Sequence, residues 1–511
     1  MSPTSPWSKL RAWHLLLGLL LLRLLFLPFF CSLYDLAGDE SYYWEWGRRP
    51  DWGYYSKPPL IGWLMGMVGW LSGNQEWGVR LAALMVGTGS LTLLYLLGKR
   101  MFDESTGLLV LALAALTPAN VALNLFFTID SPLVLLWSAA LLAFWSAVQS
   151  PERLTRWLIL CLVMGVGTLS KQMMLVFPVL MILFAALTKE ARPLLKRPGL
   201  WLSMVGALLF MLPVLWWNQR HGWITLEHTK HHFNTKEQAG LLDHLVQFIE
   251  FPATQAGLFT PITWFGLLTV SATALWQWRR LGLKERLLAT FSAPALVVFH
   301  LLALRQSVNP NWPAVYYLAA MVLLAATWTR ATTGLTLWPG FMKLQRPALV
   351  VAATLTSLAY LVPVGMWATG RTGDDKLDPM ARIHGWSEAG QKAGEFLAAT
   401  PRPEQTFLLA LGHRENASQF AFYTPQHPRA YRWQPDGIIA SQYELWPTPA
   451  EALGRDALIL QPSEKPLPRR LERNFTQVEK LGEIRVPLGT SGSRKWQVFL
   501  GRELKAWDAA P

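Results

Sequence analysis

Long apolar runs, one after another, constrain this chain more than any other feature. A helix crossing a bilayer needs about 20 mostly apolar residues, because no water is present there to satisfy the backbone N–H and C=O groups. By that rule residues 1–366 hold about eleven candidate spans. They lie near 13–33, 79–98, 107–126, 132–149, 157–170, 173–188, 200–217, 259–277, 287–304, 313–329 and 347–366. The fifth and sixth are short and crowd around Ser170-Lys171-Gln172. A further stretch, Leu60 to Leu71, carries three glycines and is too short to span, which suits an interfacial or re-entrant segment.

The remainder reads differently. Only 15% of the chain is charged, against about 25% for soluble domains, and the deficit falls on residues 1–366. Residues 367–511 look like ordinary soluble sequence and make one domain of normal size. Within them Trp386 to Ala399 has the pattern of an amphipathic helix, and Asn416 to Tyr423 and Pro468 to Asn474 also suit helices. Thr406 to Leu411, Ala457 to Leu460 and Trp496 to Leu500 suit strands, so a small α/β domain is expected. The expected fold is therefore an α-helical polytopic membrane protein with a C-terminal extracytoplasmic α/β domain, divided at 366/367.

The net charge of +13 is not a nucleic-acid signature, because the Lys and Arg residues sit between apolar runs. With a cytoplasmic N-terminus, the inside loops hold about 17 basic residues and the outside loops about nine. Every inside loop is basic, which places residues 34–59, 218–258 and the tail domain outside. Lys9 and Arg11 precede the first run as in a signal peptide, but no small-x-small site follows, so the run is read as a first transmembrane helix. The two cysteines, Cys31 and Cys161, both lie in apolar runs and support neither a disulfide framework nor a metal cluster.

The first outside loop concentrates chemistry. It runs from Tyr34 through Gly38-Asp39-Glu40-Ser41-Tyr42-Tyr43-Trp44-Glu45-Trp46 to Trp52-Gly53-Tyr54-Tyr55-Ser56-Lys57-Pro58-Pro59. Asp39 stands where the first helix leaves the membrane, a place suited to a general base acting on a hydroxyl. Glu40 points elsewhere on a helix, so the two are not automatically a pair. Lys57 is a compact charge suited to a phosphate at the membrane surface, with Pro58-Pro59 fixing the backbone after it. Tyr and Trp faces suit sugar rings, and they equally suit an interfacial belt. Physics alone leaves both readings open.

The loop resembles the bacterial branch of the protein O-mannosyltransferase superfamily, glycosyltransferase family 39, which includes the lipid A aminoarabinose transferase. Weaker motifs extend the resemblance: Phe127-Thr128-Ile129-Asp130-Ser131-Pro132-Leu133, Ser170-Lys171, Asn309-Pro310-Asn311-Trp312-Pro313 and Ser441-Gln442-Tyr443-Glu444-Leu445-Trp446. It implies a GT-C fold with about 11 transmembrane helices. It implies an inverting transfer of sugar from a polyprenyl-phosphate donor to a lipid, polysaccharide or protein acceptor, on the periplasmic side of a bacterial inner membrane. Asp39 would be the catalytic carboxylate, with Glu40 beside it. Lys57, Tyr55, Lys171 and Arg305 would bind the donor and its phosphate, and Asp130, Tyr54 and Tyr43 would line the substrate cavity. The sequence departs from the lipid A enzyme pattern at Ser56, where that pattern has Glu before its Lys-Pro. A carboxylate is missing there, and with it one ligand for a metal. No cofactor is required by the sequence, no metal site is assigned, and use of a divalent ion stays open.

Other residues carry two readings. Arg23 lies inside the first helix, where charge is costly, and suits a lipid phosphate or a carboxylate on another helix. Lys171 and Arg305 fall at outer helix ends, as donor-binding cations or as snorkelling side chains. His228, His231 and His232 share a helix face, as a metal site would require and as surface histidines often do. The alternative function is a transporter or lipid flippase, but only Arg23 stands clearly at mid-span and no half-to-half symmetry is visible. A non-catalytic assembly or receptor protein leaves the clustered acids and Lys57 unexplained.

Overall fold

The computed structural model describes residues 12–233, 241–446, 450–462, 466–490 and 492–507. The chain divides into two compact units. One comprises Met1–Leu25, Arg80–Gln219 and Glu227–Tyr360; the other comprises Phe26–Val79, Arg220–Leu226 and Leu361–Pro511.

The described residues of the first unit form helices and their connecting loops, with no strand among them. Across the described chain, six helices are long and apolar enough to cross a membrane: Ala12–Leu33, Glu76–Met101, Asp130–Gln149, Pro198–Arg220, Leu283–Ala303 and Gln345–Ala368. Two bent pairs bring the number to eight if each is one span. Leu154–Ser170, Gln172–Leu187 and Ala314–Trp328 are shorter apolar helices.

The bends have local causes. The run near 107–126 breaks by 73° between Ala115 and Pro118, where Leu116 caps one helix and Thr117 starts the next. Its hydroxyl accepts from the Asn120 N–H, and Pro118 occupies the first turn, where a missing N–H costs nothing. The second break, 108°, falls at Thr260-Pro261, with Thr260 at φ 65°. The helix before that break, Leu241–Phe259, lies in a stretch expected to be a loop. Its polar residues, among them Asp243, His244 and Glu250, break the long apolar run that marks a span, although helical spacing survives.

Ala314–Trp328 lies in the interior of this unit, with every residue from Val315 to Trp328 buried. A helix that is apolar all round belongs in the interior. Trp137, Phe144, Phe177, Phe291 and Tyr316 interlock nearby through edge-to-face and tilted ring contacts. Arg23 pairs with no carboxylate among the described residues. It donates to Asn120 Oδ1 at 2.7 Å and to the Tyr360 hydroxyl at 3.1 Å.

The second unit carries a five-stranded mixed sheet in the order β2-β1-β3-β5-β4. The strands are β1 (Thr406–Ala410), β2 (Ala430–Arg432), β3 (Asp456–Gln461), β4 (Phe475–Leu488) and β5 (Gly492–Leu504). β1 runs parallel to β2 and β3, while β5 is antiparallel to both β3 and β4. β1 and β3 are buried along their whole length, which is why they read as plain apolar runs. Helices Trp386–Ala398 and Arg414–Tyr423 pack together, and a Cβ at Gly390 would meet the Tyr423 backbone at 2.5 Å. Trp386, Phe420 and Trp496 close the space between helix and sheet.

The first loop belongs to this same unit. It folds as helix Gly38–Gly47, a turn, and helix Leu60–Ser72. The glycines of the latter serve close approach. A Cβ at Gly47 would lie 2.4 Å from Gly66 N, so the two helices touch backbone to backbone there. Gly62 makes room for the Tyr54 ring.

Candidate active site

Helix Gly38–Gly47 starts with a carboxylate at its third turn position. Glu40, fully buried, accepts the Ala37 N–H at 2.8 Å, satisfying a donor the helix itself leaves free. Glu40 is therefore engaged in building the helix. Asp39 is its opposite, with a side chain 52% exposed. Its Oδ1 accepts from Arg414 Nη2 at 3.3 Å, and the Arg414 guanidinium stands 4.9 Å from the centre of the Tyr42 ring. Among the described residues Asp39 Oδ2 accepts no hydrogen bond.

The aromatic residues divide. Tyr54 is completely buried, stacked on Trp46 at 4.4 Å, and its hydroxyl donates to the carbonyls of Trp46 and Arg49. Burial pushes the Tyr54 hydroxyl above the usual tyrosine range, as it does that of Tyr42. Tyr43 packs on Trp46 and is 5% exposed. Tyr55 is held through its backbone, donating to Gln442 Oε1 at 2.7 Å. Lys57 is half-buried, and its backbone exchanges hydrogen bonds with Tyr54 across a tight turn. Pro58 and Pro59 then lead into the next helix.

The segment Ser441–Trp446 holds this loop from the tail. The Gln442 N–H donates to the Tyr42 hydroxyl at 2.6 Å. Arg49 lies over the Trp446 ring at 4.0 Å. Glu444 bonds Ser441 Oγ and forms a 2.6 Å ion pair with Arg432. Arg414, Gln442 and Arg432 escaped sequence reasoning. Gln442 at least lay within a quoted motif, whereas nothing in the local pattern marks Arg414.

A second cluster lies in the other unit. Asp130, at the start of its helix, takes a 2.8 Å ion pair from Lys171 on Oδ1 and a 2.6 Å hydrogen bond from Asn311 on Oδ2. Ser170 Oγ donates to the Ile129 carbonyl. Three separate motifs, around Asp130, Lys171 and Asn311, thus meet in one polar cluster. Arg305 is exposed and joins none of these three among the described residues.

Among the described residues no group of three or more His, Cys, Asp or Glu side chains could hold a metal ion. The side chains of His231 and His232 lie outside the described residues.

Comparison with known proteins agrees with this architecture. The dolichyl-phosphate-mannose-protein mannosyltransferase family pattern matches residues 56–217. The lipid A galacturonosyltransferase RgtD of Rhizobium johnstonii is 28% identical over 453 residues, covering 86% of this chain and 89% of that protein. The undecaprenyl phosphate-alpha-4-amino-4-deoxy-L-arabinose arabinosyl transferase of Erwinia tasmaniensis is 33% identical over 122 residues, 23% of this chain and 22% of that one. The apo crystal structure of ArnT from Cupriavidus metallidurans superposes with a TM-score of 0.64 at 17% identity, covering 96% of this chain and 98% of that one. Its complex with undecaprenyl phosphate gives 0.63 at 16% identity, with the same coverage.

These define a multi-pass membrane glycosyltransferase with a GT-C fold and a C-terminal region built on a small mixed sheet, not a transporter or flippase. The sequence likenesses and the shared fold together support a family 39 glycosyltransferase of the GT-C type.

Proposed function

We propose that this protein transfers a sugar from a polyprenyl-phosphate donor to a lipid A-type glycolipid on the periplasmic face of the inner membrane. Residues 1–366 carry the spans and the catalytic loop, and residues 367–511 form an extracytoplasmic α/β domain. The observation that supports the site best is the contrast between Asp39 and Glu40: one carboxylate caps the helix, the other is half-exposed, with an oxygen that accepts no hydrogen bond among the described residues.

In this reading Asp39 accepts the proton of the acceptor hydroxyl as its oxygen attacks the anomeric carbon. The new C–O bond forms on the face opposite the departing phosphate, so configuration inverts. The bond between the anomeric carbon and the phosphate oxygen breaks, and polyprenyl phosphate leaves with the electron pair. Lys57 stabilises that developing charge, with Tyr55, Lys171 and Arg305 assigned to the donor and its phosphate. Asp130, Tyr54 and Tyr43 are assigned to the cavity.

The near full-length likeness to a lipid A galacturonosyltransferase supports the glycolipid acceptor. The test is a transfer assay in detergent with a panel of radiolabelled polyprenyl-phosphate sugars and with lipid A, protein and polysaccharide offered as acceptors. Wild type should transfer one of them, and Asp39→Asn and Lys57→Ala at equal expression should not. Transfer that survives both changes refutes the site, and transfer only to protein or polysaccharide refutes the acceptor.

A further inference from the structure

We infer that Arg414, contributed by the tail, is the positioning residue for the Asp39 carboxylate. This inference rests on the catalytic role proposed above for Asp39. The two residues are 375 positions apart, and they meet because helix Arg414–Tyr423 lies along the first loop.

One side of that helix makes a succession of specific contacts with residues 36–44. Gln419 donates to the Leu36 carbonyl at 2.7 Å, and Tyr423 accepts the Leu36 N–H at 2.6 Å. Ser418 Oγ lies 2.9 Å from Ser41 Oγ, and Phe422 meets the Trp44 ring edge-on. Glu415 sits so close to Gly38 that a Cβ there would lie 2.5 Å from its carboxylate oxygen. Positions 415, 418, 419, 422 and 423 recur at helical spacing, so one face is dedicated to this loop.

Arg414 stands at the start of this face, where the two helix beginnings meet. An exposed ion pair usually contributes little, because two long side chains must be held in one geometry. Here much of that ordering is already done. The Arg414 side chain is 29% exposed, and the Tyr42 ring braces its guanidinium. The Tyr42 hydroxyl is itself fixed by the Gln442 N–H. The guanidinium then holds one oxygen of Asp39, Oδ1, and leaves Oδ2 to take a proton from the acceptor. A carboxylate free to rotate would present that oxygen only part of the time, and misplacement of about 1 Å can cost roughly 100-fold in rate.

The experiment uses the full chain in detergent, comparing Arg414→Ala, Arg414→Lys and Asp39→Asn for kcat, donor KM and thermal midpoint. Arg414→Ala should lower kcat by roughly 10- to 100-fold with donor KM nearly unchanged. Arg414→Lys, or low concentrations of guanidinium ion added to Arg414→Ala, should restore part of the loss. An unchanged kcat in Arg414→Ala alongside an inactive Asp39→Asn overturns this inference and leaves the proposed function standing. Loss of kcat, donor binding and thermal stability together, with no recovery by either route, also overturns it, since that marks a merely structural residue. Full activity in Asp39→Asn overturns both readings.

Discussion

Replacing Lys171 by Met should destabilise the protein more than removing the whole Lys171–Asp130 pair. The pair is 2.8 Å long, with side chains only 9% and 12% exposed, and Asn311 occupies the other Asp130 oxygen. Lys171→Met strands a carboxylate with a single amide donor. Breaking a buried pair from one side costs about 3–5 kcal/mol, and the small residual exposure puts this case near 3. Asp130→Asn together with Lys171→Met leaves no charge to strand, and its cost falls to about 1 kcal/mol, the worth of ordinary hydrogen bonds. At roughly 2 °C per kcal/mol for a body of this size, the unfolding midpoint drops about 6 °C for the single change and about 2 °C for the double. Thermal unfolding in detergent, followed by near-UV circular dichroism, reads both. A single variant within 1 °C of wild type, or a double variant that loses the sum of both singles, would refute the reasoning.

Three further outcomes follow from other sites. Gly47→Ala and Gly66→Ala should each cost about 1–3 kcal/mol in thermal or denaturant unfolding, because each new Cβ meets backbone that cannot yield. Gly18→Ala, whose Cβ meets nothing within 4 Å, should be neutral. Gln442→Ala strands the Tyr55 N–H and should cost about 1–3 kcal/mol, seen as faster proteolysis of the first loop. Burial, aided by the nearby Arg48, outweighs a hydrogen bond to the Phe422 carbonyl and holds the His427 imidazole below its ordinary value. The unfolded chain therefore binds this proton more tightly, so stability present at neutral pH falls as pH drops through about 6.5. His427→Gln should flatten that acid limb of the midpoint-versus-pH curve, and an unchanged slope refutes the assignment.

The membrane character, the helical class and the place where chemistry concentrates are legible in the sequence. The hydrophobic requirement of a bilayer acts on contiguous residues, so Ala12–Leu33, Glu76–Met101 and Gln345–Ala368 are written in local composition. β1 and β3, buried on both faces, are equally plain, whereas β2 has three residues and β4 alternates with exposed polar positions such as Gln477. Helix spacing alone separates Asp39 from Glu40 in direction. It does not say that Glu40 caps its own helix and is fully buried, because that depends on what covers it. The meetings of Asp130 with Lys171 and Asn311, and of Asp39 with Arg414, were decided only by the tertiary structure. Local sequence sets neighbours within a turn or a strand pair, whereas tertiary packing brings together these partners, which lie 41, 181 and 375 positions apart.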